Sequence, residues 1–176
     1  MKKTFLKNKK NIQFLIIGLG LIGGSAAKRL SKIGFEVLAI DKNKSHLNYA
    51  KKSKIIVSNS EKIDSAKKLF VIVALPPKTL LNNFDRYLDF FHKADFITDC
   101  TSVKGSLLNK IRKNKLESKF ILSHPIAGSE KSGFLNSDQD LFRDKIAIIS
   151  MHKALSIPTL QKCKELWFEL GSKTHN

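Results

Sequence analysis

The sequence predicts an α/β fold: one doubly wound, mostly parallel sheet with helices on both faces. Three observations predict it. Short runs rich in Ile, Val and Phe recur along the whole chain, each bounded by turn residues or a helix start. The stretches between them carry apolar residues at helical spacing. A glycine triplet, Gly18, Gly20 and Gly23, sits where the first run gives way to the first helical stretch. In such sheets ligands collect beyond the carboxyl ends of the strands, so function is sought just after each run.

Residues 1–11, with Lys2, Lys3, Lys7, Lys9 and Lys10, read as a basic tail, frayed through residue 10. A basic start followed by an apolar run is also the outline of a secretory leader. The glycine spacing inside that run and the folded pattern after it favour a first strand and helix instead. Predicted strands follow at 12–17, 37–40, 55–57, 69–74, 95–98, 120–122 and 146–149. Helical spacing appears in Ala26, Ala27, Leu30 and Ile33; in Leu80, Leu81, Phe84 and Leu88; in Leu107, Leu108 and Ile111; and in Leu160, Cys163, Trp167 and Leu170. Pro76 and Pro77 precede a helix start, while Gly34 and Gly171 fall where helices should stop. No repeat or linker interrupts the pattern, and 176 residues suit one core. One domain is therefore expected over 12–176.

Bulk composition narrows the function classes. Hydrophobic residues at 42% and charged residues at 27% exclude a largely disordered chain. Lys plus Arg exceed Asp plus Glu by 32 to 15, a formal +17 that raises nucleic acid as a partner. However, only Arg29, Arg86, Arg112 and Arg143 are arginines, and the lysines are dispersed rather than gathered into a phosphate-reading patch. Nucleic acid is thus an unlikely partner, while the field still attracts anionic small molecules. No run approaches the roughly 20 apolar residues of a membrane span, so no membrane partner is expected. Cys100 and Cys163 lack metal or disulfide spacing. They read as buried small groups in a reducing cytoplasm, with no metal.

Gly18-Leu19-Gly20-Leu21-Ile22-Gly23 follows the first strand and opens a helix, the context a Rossmann dinucleotide fingerprint requires. Gly18 permits the turn, Gly20 lets backbone N–H groups approach a pyrophosphate, and Gly23 lets helix and strand pack closely. Asp41 closes the second strand, where a carboxylate accepts from ribose hydroxyls and repels a 2′-phosphate. NAD is favoured over NADP, although Lys42 and Lys44 keep NADP open. Ala74, Leu75 and Pro76, after the fourth strand, are expected to border the cofactor, as is Thr101 after the fifth.

The most distinctive stretch is Ser123-His124-Pro125-Ile126-Ala127-Gly128-Ser129-Glu130-Lys131-Ser132-Gly133. It resembles the HPxAGxExSG segment of the prephenate and arogenate dehydrogenases of tyrosine biosynthesis. Asp99-Cys100-Thr101-Ser102-Val103-Lys104 resembles their DxxSVK segment. With the glycine loop, three motifs stand in that family's order over nearly the whole chain. The resemblance implies an NAD-dependent oxidative decarboxylation. In it His124 accepts the proton of the ring hydroxyl, Ser102 orients hydroxyl and imidazole, and Lys104 lies near the substrate's negative charges. Ser129 and Glu130 would lie near the substrate's side chain. His46, His92, His152 and His175 lack such context and read as exposed.

Members of that family carry a further helical domain that makes a homodimer and supplies an arginine for the ring carboxylate. Here the residues after Gly171 read as the start of another strand, which suggests a truncated sequence. Two alternatives stay open: another Rossmann reductase of the β-hydroxyacid dehydrogenase type, and a non-catalytic dinucleotide-binding module. Prephenate and arogenate also stay open as substrates.

Overall fold

The computed structural model describes residues 5–128, 130, 132–152 and 154–175. Among them one sheet of eight strands has the order β3-β2-β1-β4-β5-β6-β7-β8. These strands are β1 Ile12–Ile17, β2 Glu36–Ile40, β3 Ser58–Asn59, β4 Lys68–Val73, β5 Phe96–Asp99, β6 Phe120–Pro125, β7 Ile146–Ser150 and β8 Lys173–His175. Pairing is parallel from β3 through β6. The β7 strand runs antiparallel to β6, and β8 runs parallel to β7. This is a Rossmann-type, mostly parallel sheet, as predicted.

The helices are α1 Leu21–Lys32, α2 Lys44–Lys52, α3 Pro77–Asn83, α4 Leu88–Lys93, α5 Gly105–Lys113 and α6 Ile157–Leu170. Every residue of β1 is buried because both faces of the sheet are covered. Phe14 and Ile16 enter one core with Phe70, Phe96 and the Trp167 of α6. Leu15 and Ile17 enter the other with Phe84, Phe91 and Phe120. The one polar side chain in β1, Gln13, bonds both backbone groups of Asp64 at 2.6 and 3.1 Å, which makes its burial tolerable.

Several expectations need correction. The predicted third strand at 55–57 forms instead at Ser58–Asn59, because Ile55 and Ile56 spend their N–H groups on the Ala50 carbonyl at the end of α2. The α2 helix itself was not predicted. It buries only Ala50, so little apolar period announces it, and its start is fixed by Asn43 Oδ1 accepting from Ser45 N at 2.9 Å. The predicted helix through Leu80 and Leu88 is split by a 3-10 turn at Phe84–Tyr87. The tail is not frayed over its described part. Residues Phe5–Lys7 and Lys9–Asn11 form 3-10 turns, Leu6 is buried in the core, and Lys9 Nζ donates to the Ile33 carbonyl at 2.5 Å.

Gly34 and Gly171 do follow helices, with φ of 91° and 104°, and Gly171 caps α6. Beyond it β8 is the further strand expected there. Both cysteines are free. Burial pushes the Cys163 thiol up to about 12 and raises the Cys100 thiol as well. Stability drawn from the neutral Cys163 thiol is complete below its ordinary value of 9.0 and is lost as pH rises toward about 12. At pH 8 a thiol-disulfide reagent should therefore find no fast-reacting thiol in the folded chain and two after unfolding.

Candidate cofactor and active site

The turn after β1 is built around close backbone approaches. Gly18 has φ 97°, donates its N–H to the Ile40 carbonyl at 2.8 Å, and a Cβ there would stand 2.7 Å from the Ala74 carbonyl oxygen. At Gly23 a Cβ would stand 1.9 Å from the Gly18 carbonyl oxygen, so helix and turn meet only without a side chain. At Gly20, the N-cap of α1, a Cβ would meet nothing within 4 Å. That glycine faces open space in front of the amides of the first helical turn, where an anion is favoured.

Asp41, at the end of β2, turns its carboxylate onto this loop. Its Oδ2 accepts from Leu19 N at 2.5 Å and its Oδ1 from Asn43 N at 2.7 Å. Each oxygen keeps a further lone pair for a ligand hydroxyl. Gly18, Gly20, Asp41, Lys42, Ala74, Leu75 and Pro76 all border one cavity of about 360 Å³. The cavity is also lined by His46, Thr79, Asn83, Arg86 and Tyr87, none of which the sequence places at the cofactor; His46 reads there as exposed. Burial raises the Tyr87 phenol, the Arg86 charge lowers it and the Asp41 carboxylate raises it further. An adjoining cavity of about 310 Å³ shares Gly20, Ala74, Leu75 and Pro76, and continues past Leu21 and Ile22 to Cys100 and Gly133.

The second cavity reaches Cys100, just past the end of β5, and His124 of β6 is tied to that residue through its carbonyl. The strand predicted at 120–122 extends to Pro125, so His124 belongs to β6, opposite Ile148 of β7. Its Nδ1 lies 3.2 Å from the Cys100 carbonyl oxygen. A carbonyl only accepts, so the neutral ring carries its proton on Nδ1 and its lone pair on Nε2. The ring also borders an open hollow of about 400 Å³ with Ile126 and Lys145.

Beneath the imidazole lies a buried polar network. The Asp99 carboxylate, with 0% of its side chain exposed, accepts from Lys104 Nζ at 2.7 and 2.9 Å. It also accepts from Thr101 Oγ1 at 2.5 Å, Thr101 N at 3.0 Å and Ser123 N at 3.1 Å. Burial pushes this carboxyl above the ordinary range, while the Lys104 charge and the hydrogen bonds pull it back. Lys104 gives its remaining N–H to the Ser123 carbonyl at 2.7 Å. Ser123 Oγ donates to the Asp99 carbonyl at 2.7 Å and accepts from Trp167 Nε1 at 3.1 Å, with Thr98 Oγ1 at 2.7 Å.

The three N–H groups of Lys104 are thus all used inside the protein, so it does not present them to a ligand as expected. Thr101 likewise turns its hydroxyl onto Asp99, away from the two cofactor cavities. Ser102 is exposed and, among the described residues, makes no hydrogen bond to His124; the Cys100 carbonyl holds the ring instead. Glu130 is exposed, and Ser129 lies outside the described residues. His92 and His175 are exposed as expected, but His46 and His152 are half-buried, each with one shielded ring nitrogen that has no hydrogen-bond partner among the described residues. Among the described residues no group of three or more His, Cys, Asp or Glu is placed to hold a metal ion, and no helix is long and apolar enough to cross a membrane.

A glycine turn after the first strand, a carboxylate after the second and two adjoining cavities beyond the strand ends define a nucleotide-binding Rossmann domain. Comparison with known proteins agrees. The family described as "Prephenate dehydrogenase, nucleotide-binding domain" matches residues 26–176, and the chain belongs to that family. The prephenate dehydrogenase of Lactococcus lactis subsp. cremoris is 33% identical over 172 residues, covering 93% of this chain and 48% of the relative. The crystal structure of prephenate dehydrogenase from Aquifex aeolicus superposes with a TM-score of 0.78 at 29% identity, covering 92% of this chain and 60% of that one. A second structure from A. aeolicus, in complex with hydroxyphenyl propionate and NAD+, gives 0.77 at 27% identity, over 93% and 58%. The chain spans about half the length of the curated relatives it matches over most of its own length.

Proposed function

We propose that this chain is the NAD-binding part of a prephenate or arogenate dehydrogenase, which oxidatively decarboxylates a cyclohexadienol in tyrosine biosynthesis. The residues fit the cofactor: Gly18 and Gly23 occupy places a Cβ would fill, Gly20 opens onto free space, and Asp41 retains acceptor lone pairs beside it. When bound, the nicotinamide supplies the hydride acceptor. His124 Nε2 takes the proton of the ring hydroxyl as the carbinol carbon is oxidised, the ring carboxylate leaves as carbon dioxide, and the ring becomes aromatic. A neutral imidazole performs that task and a protonated one does not. The observation that carries the reading is the 3.2 Å contact of His124 Nδ1 with the carbonyl of Cys100, a residue that lines the cavity running to the glycine loop; the contact leaves Nε2 as the acceptor. Ser129 and Glu130 belong near the substrate's side chain in this reading. The same reading includes a homodimer of the whole-length protein and a cytoplasmic location.

Calorimetric titration of the 176-residue chain tests the cofactor half. NAD should bind more tightly than NADP. Asp41→Ala should weaken NAD about ten- to hundredfold and close most of the gap, as expected for losing hydrogen bonds to a charged group. In the whole-length protein, His124→Asn should lower kcat by roughly 10²–10⁴ on whichever substrate is used. Absence of NAD binding, or full activity in His124→Asn, would sink the reading.

A further inference from the structure

We infer that the buried Asp99–Lys104 pair is the positioning element for His124, acting through the backbone of Ser123 and not by touching substrate. The inference rests on the reading of His124 as the proton acceptor.

The backbone ladder between β5 and β6 has its last pair at Asp99 and Leu122. One residue farther on, Ser123 N meets Asp99 Oδ1 at 3.1 Å and the Ser123 carbonyl meets Lys104 Nζ at 2.7 Å. Side-chain groups thus replace the neighbouring strand's peptides at the point where the two strands part. The serine hydroxyl adds a third tie, to the Asp99 carbonyl at 2.7 Å. Both residues that set the imidazole's place are thereby fixed. His124 follows Ser123 directly, and Cys100, whose carbonyl accepts from the ring, follows Asp99 directly. The ammonium fits because a single nitrogen must donate in three directions at once, to Asp99 Oδ1, Asp99 Oδ2 and the Ser123 oxygen. A planar guanidinium spreads its donors and does not reproduce that arrangement.

A spectroscopic readout separates positioning from mere stability. The ring ¹⁵N shifts of His124 in the 176-residue chain, recorded at about pH 8 where a free imidazole is neutral, report which nitrogen carries the proton. In the wild-type chain Nδ1 should carry it. The double variant Asp99→Asn/Lys104→Met removes both charges together, so no lone charge is left buried. It should stay folded while His124 loses its preference for the Nδ1–H tautomer. Lys104→Arg, which keeps the charge, should shift the same signals and serves if the double variant does not fold. A wild-type ring protonated on Nε2, or a folded variant with unchanged ring shifts, would overturn the inference. Neither cofactor nor substrate is needed, so failure of NAD binding would count against the proposed function and leave this result to stand by itself.

Discussion

Gly23→Ala should abolish the stable fold of the first strand–turn–helix unit, with a loss of roughly 4 kcal/mol or more. The added Cβ would stand 1.9 Å from the Gly18 carbonyl oxygen and 3.0 Å from the Ala74 Cβ. The nearest obstacle is backbone, which no rotamer change relieves. Retreat of the helix would also pull apart its neighbours in the core, since Ala26, Ala27 and Leu30 on α1 are all buried. Gly20→Ala is the matched control. Its Cβ meets nothing, so denaturant midpoints should stay close to wild type, while NAD affinity falls because the methyl projects where backbone amides face the ligand. Unfolding curves and calorimetry on the same two variants separate a packing glycine from a binding glycine.

Lys104→Met should cost about 3–5 kcal/mol, the range for leaving one partner of a buried ion pair uncompensated. Asp99 has 0% of its side chain exposed and would lose both of its charged contacts, while the Ser123 carbonyl would lose its donor. Adding Asp99→Asn to Lys104→Met should restore most of the loss, because the lone buried charge is gone. A double-mutant cycle by urea unfolding measures this directly. Equal destabilisation in the single and double variants would mean that the pair is not coupled as its geometry indicates.

Much of the fold was legible because its signals are local. The buried strands announce themselves by unbroken apolar runs, and the glycine triplet by a spacing that backbone geometry demands. Asp41 was legible from its place after β2. The helix α2 was not, since one buried alanine leaves almost no apolar period and the cap at Asn43 resembles any turn. The wall formed by Arg86 and Tyr87 was hidden because a 3-10 turn, not the continuous helix expected, presents it to the cleft. Asp99 and Ser123 stand within recognisable motifs, but their roles are not legible there, because the contacts that matter join residues 24 apart in sequence. A signal did exist: an aspartate ending a buried strand, with a lysine five residues later, calls for a charge partner once burial is granted. The motif points Lys104 outward and the strand-end position points Thr101 outward, and only the hydrogen-bond geometry turns them inward.

The proposed function requires that a dinucleotide bound from Asp41 past the glycine turn bring its nicotinamide to His124. Amide and imidazole chemical shifts of the isotope-labelled chain, titrated in parallel with ADP-ribose and with NAD, test it most directly. ADP-ribose should shift Leu19, Gly20 and Asp41 and leave the His124 ring where it was; NAD should shift all four. A His124 ring that stays unmoved when the chain is saturated with NAD would contradict the claim that cofactor and base share the cleft.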